Sequence, residues 1–403
     1  MKISYIALSI PIFFLLIGIE LLVGYLKKEK LYRFNDALTN INLGTGQQIV
    51  GLMVKGFFFL AYLYLYEHRI YSFENVWWVW VLLFLGVDFF YYWFHRASHE
   101  INGLWAAHIV HHQSEDYNLS VALRQSWFQG WFSWAFYLPL AVVGFDPIMF
   151  VAMKSFNTLY QFWIHTTTIK TLGPLEWVFN TPSHHRVHHG SNPKYIDRNH
   201  AGSLIIWDRM FGTFQKEEEQ VIYGITKPLN SWNPVWANLH YWQELYSLAK
   251  QARGFDKVLV FLKPPGWQPD YLGGFEAPVE IDLSVYKKYS HDGMSHHHVY
   301  VFFIFLLGLA LATSVLFLKA SIPVVALYAT MFYVLLTLGI NGGLMENQKW
   351  LIQAEYGRII LGLLIALLFW EIPHFDTILR VTAIFTLANL IWFNRVVKQL
   401  RKQ

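Results

Sequence analysis

Apolar residues run along this chain in long blocks rather than in the short alternations of a soluble fold. Blocks near the twenty residues that a helix needs to cross a bilayer fall at 4–26, 46–66, 76–94, 127–144, 148–165, 299–318, 322–342, 358–373 and 377–395. Nine spans are therefore predicted, in an all-α, multi-pass transmembrane helical bundle. The first block is long, lacks an Ala-x-Ala cleavage pattern and contains Glu20, so it reads as a span and not as a signal peptide. The fourth and fifth blocks turn at Gly144, Phe145, Asp146 and Pro147. They form a hairpin, either two crossings or a re-entrant pair.

Between the fifth and sixth blocks lies the one long polar stretch, 166–298. It is rich in Trp, Tyr and Pro and has no low-complexity run, so a folded cytoplasmic helical cap is expected there. Four regions follow: N-terminal transmembrane helices over 1–75, a metal domain over 76–220, a cap or connector over 221–298, and C-terminal transmembrane helices over 299–403. Lys27, Lys28, Lys30 and Arg33 follow the first block, and Arg395, Lys398, Arg401 and Lys402 follow the last. Positive loops stay in the cytoplasm, and nine crossings from an outside N-terminus put both clusters there.

Composition agrees with a membrane setting. Charged residues are 14%, against roughly a quarter in soluble domains, and aromatics reach 18%, as suits a protein with many membrane–water interfaces. The net charge of +4 sits mostly in loops and at the C-terminus, which speaks to topology and not to nucleic-acid binding. Cysteine is absent, which excludes disulfides, iron–sulfur clusters and thiolate-bound haem. Any metal must take nitrogen or oxygen ligands, and the 18 histidines make nitrogen the choice.

Three histidine clusters carry the chemistry. His95 and His99 form H-x3-H, His108, His111 and His112 form H-x2-H-H, and His185, His188 and His189 repeat it, with His184 in front. On a helix, residues i, i+3 and i+4 share a face, so each cluster aims its imidazoles one way. His165 closes the fifth block at the same predicted depth. The metal ligands are thus expected among His95, His99, His108, His111, His112, His165, His184, His185, His188 and His189, about four to each of two ions. Carboxylates are nearly missing from the motifs, unlike the Glu-x-x-His scheme of ferritin-like bundles.

The three motifs placed after a span resemble the fatty acid hydroxylase / sterol desaturase superfamily over roughly 80–220. Two stretches narrow the likeness to its ether-lipid branch. One runs from Trp105 to Ser126. The other runs from Phe162 to Phe214, through Asn180, Thr181, Pro182 and the third motif to Ile206, Trp207 and Asp208. The resemblance implies a membrane di-iron monooxygenase. Two Fe ions in an imidazole cage bind and cleave O2, hydrogen leaves an unactivated lipid C–H bond, and hydroxyl returns. It further implies tetrahydrobiopterin as reductant, for which no site is readable here, and a bacterial inner membrane or endoplasmic reticulum location. A sterol or fatty-acyl hydroxylase or desaturase fed by an external electron donor is the alternative. A metal transporter or scaffold is a second one, but its histidines should line the depth of the spans. His200 departs from the pattern, where an aromatic such as Tyr is expected; it either adds a ligand or replaces a hydroxyl.

Other polar residues read as follows. Asp88 either holds a ligand imidazole by its far nitrogen or makes a structural bond to a neighbouring span. Asp197 and Asn199 are orienting candidates or plain loop residues. Ser183 is a candidate cap for the third-motif helix. Glu20, Lys55 and Lys154 lie within spans, where snorkelling explains one near an interface. Glu346, Glu355 and Arg358 read as a solvated loop, and His296, His297 and His298 as an interfacial patch.

Overall fold

A computed structural model describes residues 5–279, 281, 286–290, 297–348 and 350–400. It divides into two compact units. The first, the histidine unit, holds residues 5–229 and 238–288, and the second holds residues 230–237 and 289–400. No strand occurs among the described residues, where the β pairing consists of two isolated bridges, Phe179 with Leu204 and Gly190 with Tyr223.

The histidine unit begins with three long helices, α1 (Tyr5–Lys27), α2 (Phe34–Glu67) and α3 (Trp77–Glu100). All three are long and apolar enough to cross a membrane. At 34 residues α2 exceeds that need, and it starts well before the apolar block at 46. Its polar opening turns are stable because their side chains are paired: Asp36 accepts from Ser114 Oγ at 2.7 Å, and Asn40 donates to Ser120 Oγ at 3.0 Å. Gly44 lets the segment after the second motif lie on α2, since a Cβ there would sit 2.3 Å from Leu123 O. Glu20, buried in α1, accepts from Leu119 N at 2.8 Å and from the hydroxyls of Tyr32 and Thr166. It therefore pins loops and does not snorkel.

The hairpin expected at 127–165 forms, with helices shorter than the span-like ones. Its first arm breaks into α6 (Gln129–Phe136) and α7 (Leu138–Val143), and its second is the 17-residue α8 (Pro147–Trp163), with α4 (Asn102–Ala106) and α5 (Ile109–His112) preceding them in the chain. Pro139, near the start of α7, cannot continue the helix before it. At the turn Gly144 takes φ +119, and a Cβ would meet Tyr71 O at 1.7 Å. Asp146 caps α8 by accepting from Ile148 N at 2.8 Å and Met149 N at 3.0 Å. Leu140, Ala141, Phe145 and Met149 pack with Val79, Leu83 and Val87 of α3. Lys154 lays its ammonium 4.0 Å from the centre of the Tyr137 ring, while Lys55 is exposed and reaches Gln48 Oε1 at 3.3 Å. Seven helices among the described residues, not nine, are therefore span-like.

After α8 come α9 (Pro182–His188), α10 (Ile206–Phe211), α11 (Pro234–Gln251) and α12 (Asp256–Leu262). The division between units falls inside α11. Helix α9 starts at Pro182 with Thr181 as its flanking residue, so Ser183 lies inside the helix and does not cap it. Arg186 within the third motif fixes the chain before it. The guanidinium donates to the carbonyls of Thr166, Ile169 and Lys170 and bidentately to Glu217 at 2.8 and 2.6 Å.

The second unit holds α13 (His298–Leu318), α14 (Val324–Met345), α15 (Leu351–Ala366) and α16 (Phe375–Leu400). Here the solvated-loop reading fails. Helix α15 begins seven residues before position 358, and it buries Glu355 and Arg358 completely. Glu346 is buried too, accepting from Ser231 Oγ at 2.6 Å and Asn233 N at 3.1 Å. His298 opens α13 and His297 is buried beside it; His296 lies outside the described residues.

Candidate metal centre

Helix α3 carries His95 and His99 one turn apart on its last two turns. The second motif spans the start and body of α5, and the third spans α9 and its C-terminal residue His189. His165 follows the end of α8. These elements bring the imidazoles into two buried groups whose ligand atoms lie within 4.8 Å of one another: His95, His99, His108, His112 and His188 in one, His111, His165, His185 and His189 in the other.

The division cuts through two of the motifs. Pairs spaced i, i+4 stay together: His95 with His99, His108 with His112, and His185 with His189. The i+3 residue goes to the opposite group, His111 in the second motif and His188 in the third. Positions i+3 and i+4 are successive residues and diverge by about 100° around a helix. An H-x2-H-H turn thus serves two centres at once.

The hydrogen bonds set the direction of each ring. Nδ1 of His95 meets His200 O at 2.7 Å, that of His111 Arg124 O at 2.8 Å, that of His165 Gln161 O at 2.7 Å, and that of His188 Arg198 O at 2.9 Å. A carbonyl only accepts, so each of these Nδ1 atoms carries the proton and the lone pair sits on Nε2. His108 places Nδ1 3.1 Å from Gln129 Oε1, and His99 places it 3.2 Å from Asp197 Oδ1. The Nε2 atoms then converge. His165 Nε2 is 3.2 Å from His111 Nε2 and 3.0 Å from His185 Nε2, and His108 Nε2 is 3.0 Å from His95 Nε2 and 3.2 Å from His112 Nε2.

The His111–His165 contact cannot be a hydrogen bond, because both protons are committed to carbonyls. Two lone pairs facing each other at that distance repel, and a cation between them reverses the sign. Nε2 of His99, His188 and His189 is buried with no hydrogen-bond partner, an arrangement that costs about 1–3 kcal/mol per group when nothing fills it. Burial pushes His111 down to about 4 and His188 down to about 3, so both are neutral and able to ligate at pH 7. An all-nitrogen, borderline donor set of this kind suits Fe, Zn, Cu or Ni and is poor for Mg or Ca. The residues fit a pair of transition-metal ions.

The remaining candidates fall elsewhere. His184 lies outside both groups, its ring 5.4 Å from that of Phe214. His200 is also outside them, with its ring 5.1 Å from His99 and its Nε2 3.1 Å from Asp197 O. Asp88 reaches no histidine: Asn157 Nδ2, Ser203 N, Leu204 N and Trp207 Nε1 fill its four acceptor positions at 2.6 to 3.0 Å. Of its two readings, the structural one describes these contacts. Asn199 donates to His184 O at 3.0 Å and Gln215 O at 2.7 Å, tying α9 to the strand of chain beyond it.

Arg124 escaped the sequence reading as an individual residue. Fully buried, it donates to Val110 O at 2.7 Å, Asn40 Oδ1 at 2.9 Å and Gln113 Oε1 at 2.8 Å, while its own carbonyl holds His111. One residue thus fixes both the backbone and a ring of the second motif. An arginine thirteen residues after His111 and outside any apolar block was the available signal.

Residues 80–213, which contain every motif histidine, match the family model described as fatty acid hydroxylase. The chain is 39% identical over 408 residues to the alkylglycerol monooxygenase of Xenopus tropicalis and 38% identical over 410 residues to that of Homo sapiens. Each alignment covers 98% of this chain and 90% of the relative. The ornithine lipid hydroxylase OlsE of Rhizobium tropici is 29% identical over 135 residues, 33% of this chain and 41% of that protein. No solved structure matches the chain significantly.

Proposed function

Because the chain belongs to the alkylglycerol monooxygenase family, we propose that it is a membrane-bound monooxygenase that hydroxylates the carbon beside the ether oxygen of an alkylglycerol lipid. The observation that carries the metal part of this reading is the His111–His165 pair, whose facing lone pairs call for a cation. We assign two iron ions, one to each histidine group, and tetrahydrobiopterin as the reductant. When bound, the metal pair supplies O2 activation and removal of hydrogen from the C–H bond.

The chain's own residues do the rest. Carbonyls of Gln161, Arg124, Arg198 and His200 hold a proton on each Nδ1 and keep Nε2 aimed inward. The apolar span faces keep the alkyl chain in the bilayer, with the glycerol head near the histidines. One oxygen atom of O2 enters the C–H bond, and the other leaves as water with two electrons and two protons from the reductant. The resulting hemiacetal collapses to a fatty aldehyde and a glycerol derivative. Purified protein given O2, an alkylglycerol and reduced pterin should release fatty aldehyde. Hydroxylated sterol or acyl product instead, with no aldehyde, would transfer the assignment to the alternative class.

Metal content is a separate expectation. Gently purified protein should hold about two transition-metal ions per chain by elemental analysis, since two full donor groups are present. One ion or none would refute the paired site.

The histidine face is assigned to the cytoplasm. Lys27, Lys28, Lys30 and Arg33 follow α1, and three crossings return α3 to the side they mark. Reporters fused after Arg33 and at Lys170 should both read cytoplasmic, and one near Glu67 should read the opposite side. Arg33 and Lys170 on different sides would exclude this topology.

A further inference from the structure

We propose that Asp208 is a positioning residue of the five-histidine group, its carboxylate acting on His95 through the single peptide that joins His200 to Ala201. The inference rests on reading that group as a metal site.

One short segment serves three of the five rings. Asp197 Oδ1 lies 3.2 Å from His99 Nδ1, Arg198 O 2.9 Å from His188 Nδ1, and His200 O 2.7 Å from His95 Nδ1. To present these acceptors together the segment coils tightly, with Asp197 and Asn199 both at φ 56, a left-handed conformation that side chains seldom adopt without cause. Asp208, fully buried on α10, fastens its far end. Oδ1 accepts from His200 N at 2.7 Å and from Thr213 Oγ1 at 2.6 Å, and Oδ2 accepts from Ala201 N at 2.8 Å.

The Ala201 N–H and the His200 C=O are two ends of one peptide group. A negative charge on the N–H end polarises the peptide and makes its oxygen a stronger acceptor. That oxygen holds the His95 proton, so electron density passes to Nε2, the ligating atom. Many metal-bound histidines lean directly on a carboxylate; here the carboxylate stands one peptide away.

Asp88 shows that burial and loop-holding alone do not make this link. It is as buried as Asp208 and holds the next turn of the same loop through Ser203 N and Leu204 N at 2.7 and 2.9 Å. The carbonyls of the peptides it holds, Gly202 O and Ser203 O, lead to Asn180, at 3.2 Å from Nδ2 and 2.8 Å from the backbone nitrogen. Its chain of bonds ends on an asparagine and not on a ring.

Cobalt(II) titration of metal-stripped, full-length protein in detergent tests the proposal without turnover. Asp208→Asn keeps shape and removes charge. It should weaken one of two Co(II) sites by roughly 10- to 100-fold and shift the visible Co(II) spectrum of that site. Asp88→Asn should lower thermal stability while leaving Co(II) affinity and spectrum at wild-type values. Replacing the Ala201 residue by its α-hydroxy acid deletes the N–H and also makes His200 O a weaker, ester acceptor, so it should shift the Co(II) spectrum by itself; with the link cut in this way, adding Asp208→Asn should shift the spectrum no further. Wild-type affinity and spectrum in either relay variant would overturn the proposal, as would an Asp88→Asn spectrum that matches that of Asp208→Asn. If the wild-type protein takes up no Co(II), the metal reading itself fails.

Discussion

Alanine at any one of His95, His99, His108, His111, His112, His165, His185, His188 or His189 is expected to cut lipid oxygenation by more than about 100-fold. Loss of an outer hydrogen-bonding partner costs roughly 10- to 100-fold, and removal of a donor to the reaction centre should exceed it. The two groups make the expectation sharper. His99→Ala should leave the ion held by His111, His165, His185 and His189, and His165→Ala should leave the ion held by the other five. His165→Ala leaves its ion three donors and should lower metal content from about two towards one per chain, whereas His99→Ala leaves four and should loosen its ion without emptying the site; activity should be lost in both. His68→Ala and His374→Ala, both at exposed positions, should match the wild type. His184→Ala removes a ring packed on Phe214, so it should lower stability and keep both ions. Fatty aldehyde release, metal analysis and protein level by blot are measured together. Normal turnover in the motif variants at normal protein level would reduce the clusters to a structural role.

The motifs were legible because they are written in residue type and spacing. Their partition into two groups was not, since it depends on the angle between i+3 and i+4 on helices whose axes only the fold supplies. The same limit hid the acceptors behind the rings. Arg198 O and His200 O are backbone atoms, and no side chain announces them. Asp208 and Arg124 appeared only as letters in a resemblance, and the structure ties each to a particular peptide or ring.

Hydropathy erred in one consistent way. It scored residue type in a window and could not see that a polar helical face has partners. The opening turns of α2, with Asp36, Asn40 and Asn42, lie before the apolar block at 46, and those of α15, with Glu355 and Arg358, read as a solvated loop. Both are helical because the polar side chains meet buried partners. The hairpin erred in the opposite direction: 127–144 is apolar enough to cross, but Pro139 divides it into pieces of eight and six residues.

Breaking the polar core of the second unit should be the most destabilising single change there. Arg358 donates from Nε to Glu355 Oε2 and from Nη2 to Glu355 Oε1, both at 2.7 Å, and from Nη1 to the Tyr333 hydroxyl at 2.8 Å. Tyr300 bonds Glu355 and, at 2.8 Å, Asn389, so one ion pair joins α13, α14, α15 and α16. Both charged side chains are 0% exposed. Arg358→Met leaves the Glu355 carboxylate inside an apolar bundle without its counter-ion, and removal of one partner of a buried pair costs about 3–5 kcal/mol. The double variant Glu355→Gln, Arg358→Met removes both charges, and replacing a whole buried pair is often near neutral. The single variant should therefore unfold at a clearly lower temperature in detergent, and the double variant should recover most of the loss. Tryptophan fluorescence during thermal unfolding measures both. Equal midpoints for Arg358→Met and wild type would show that the pair contributes nothing to holding the four helices. A double variant no more stable than the single one would place the cost in lost packing around the guanidinium and not in the stranded charge.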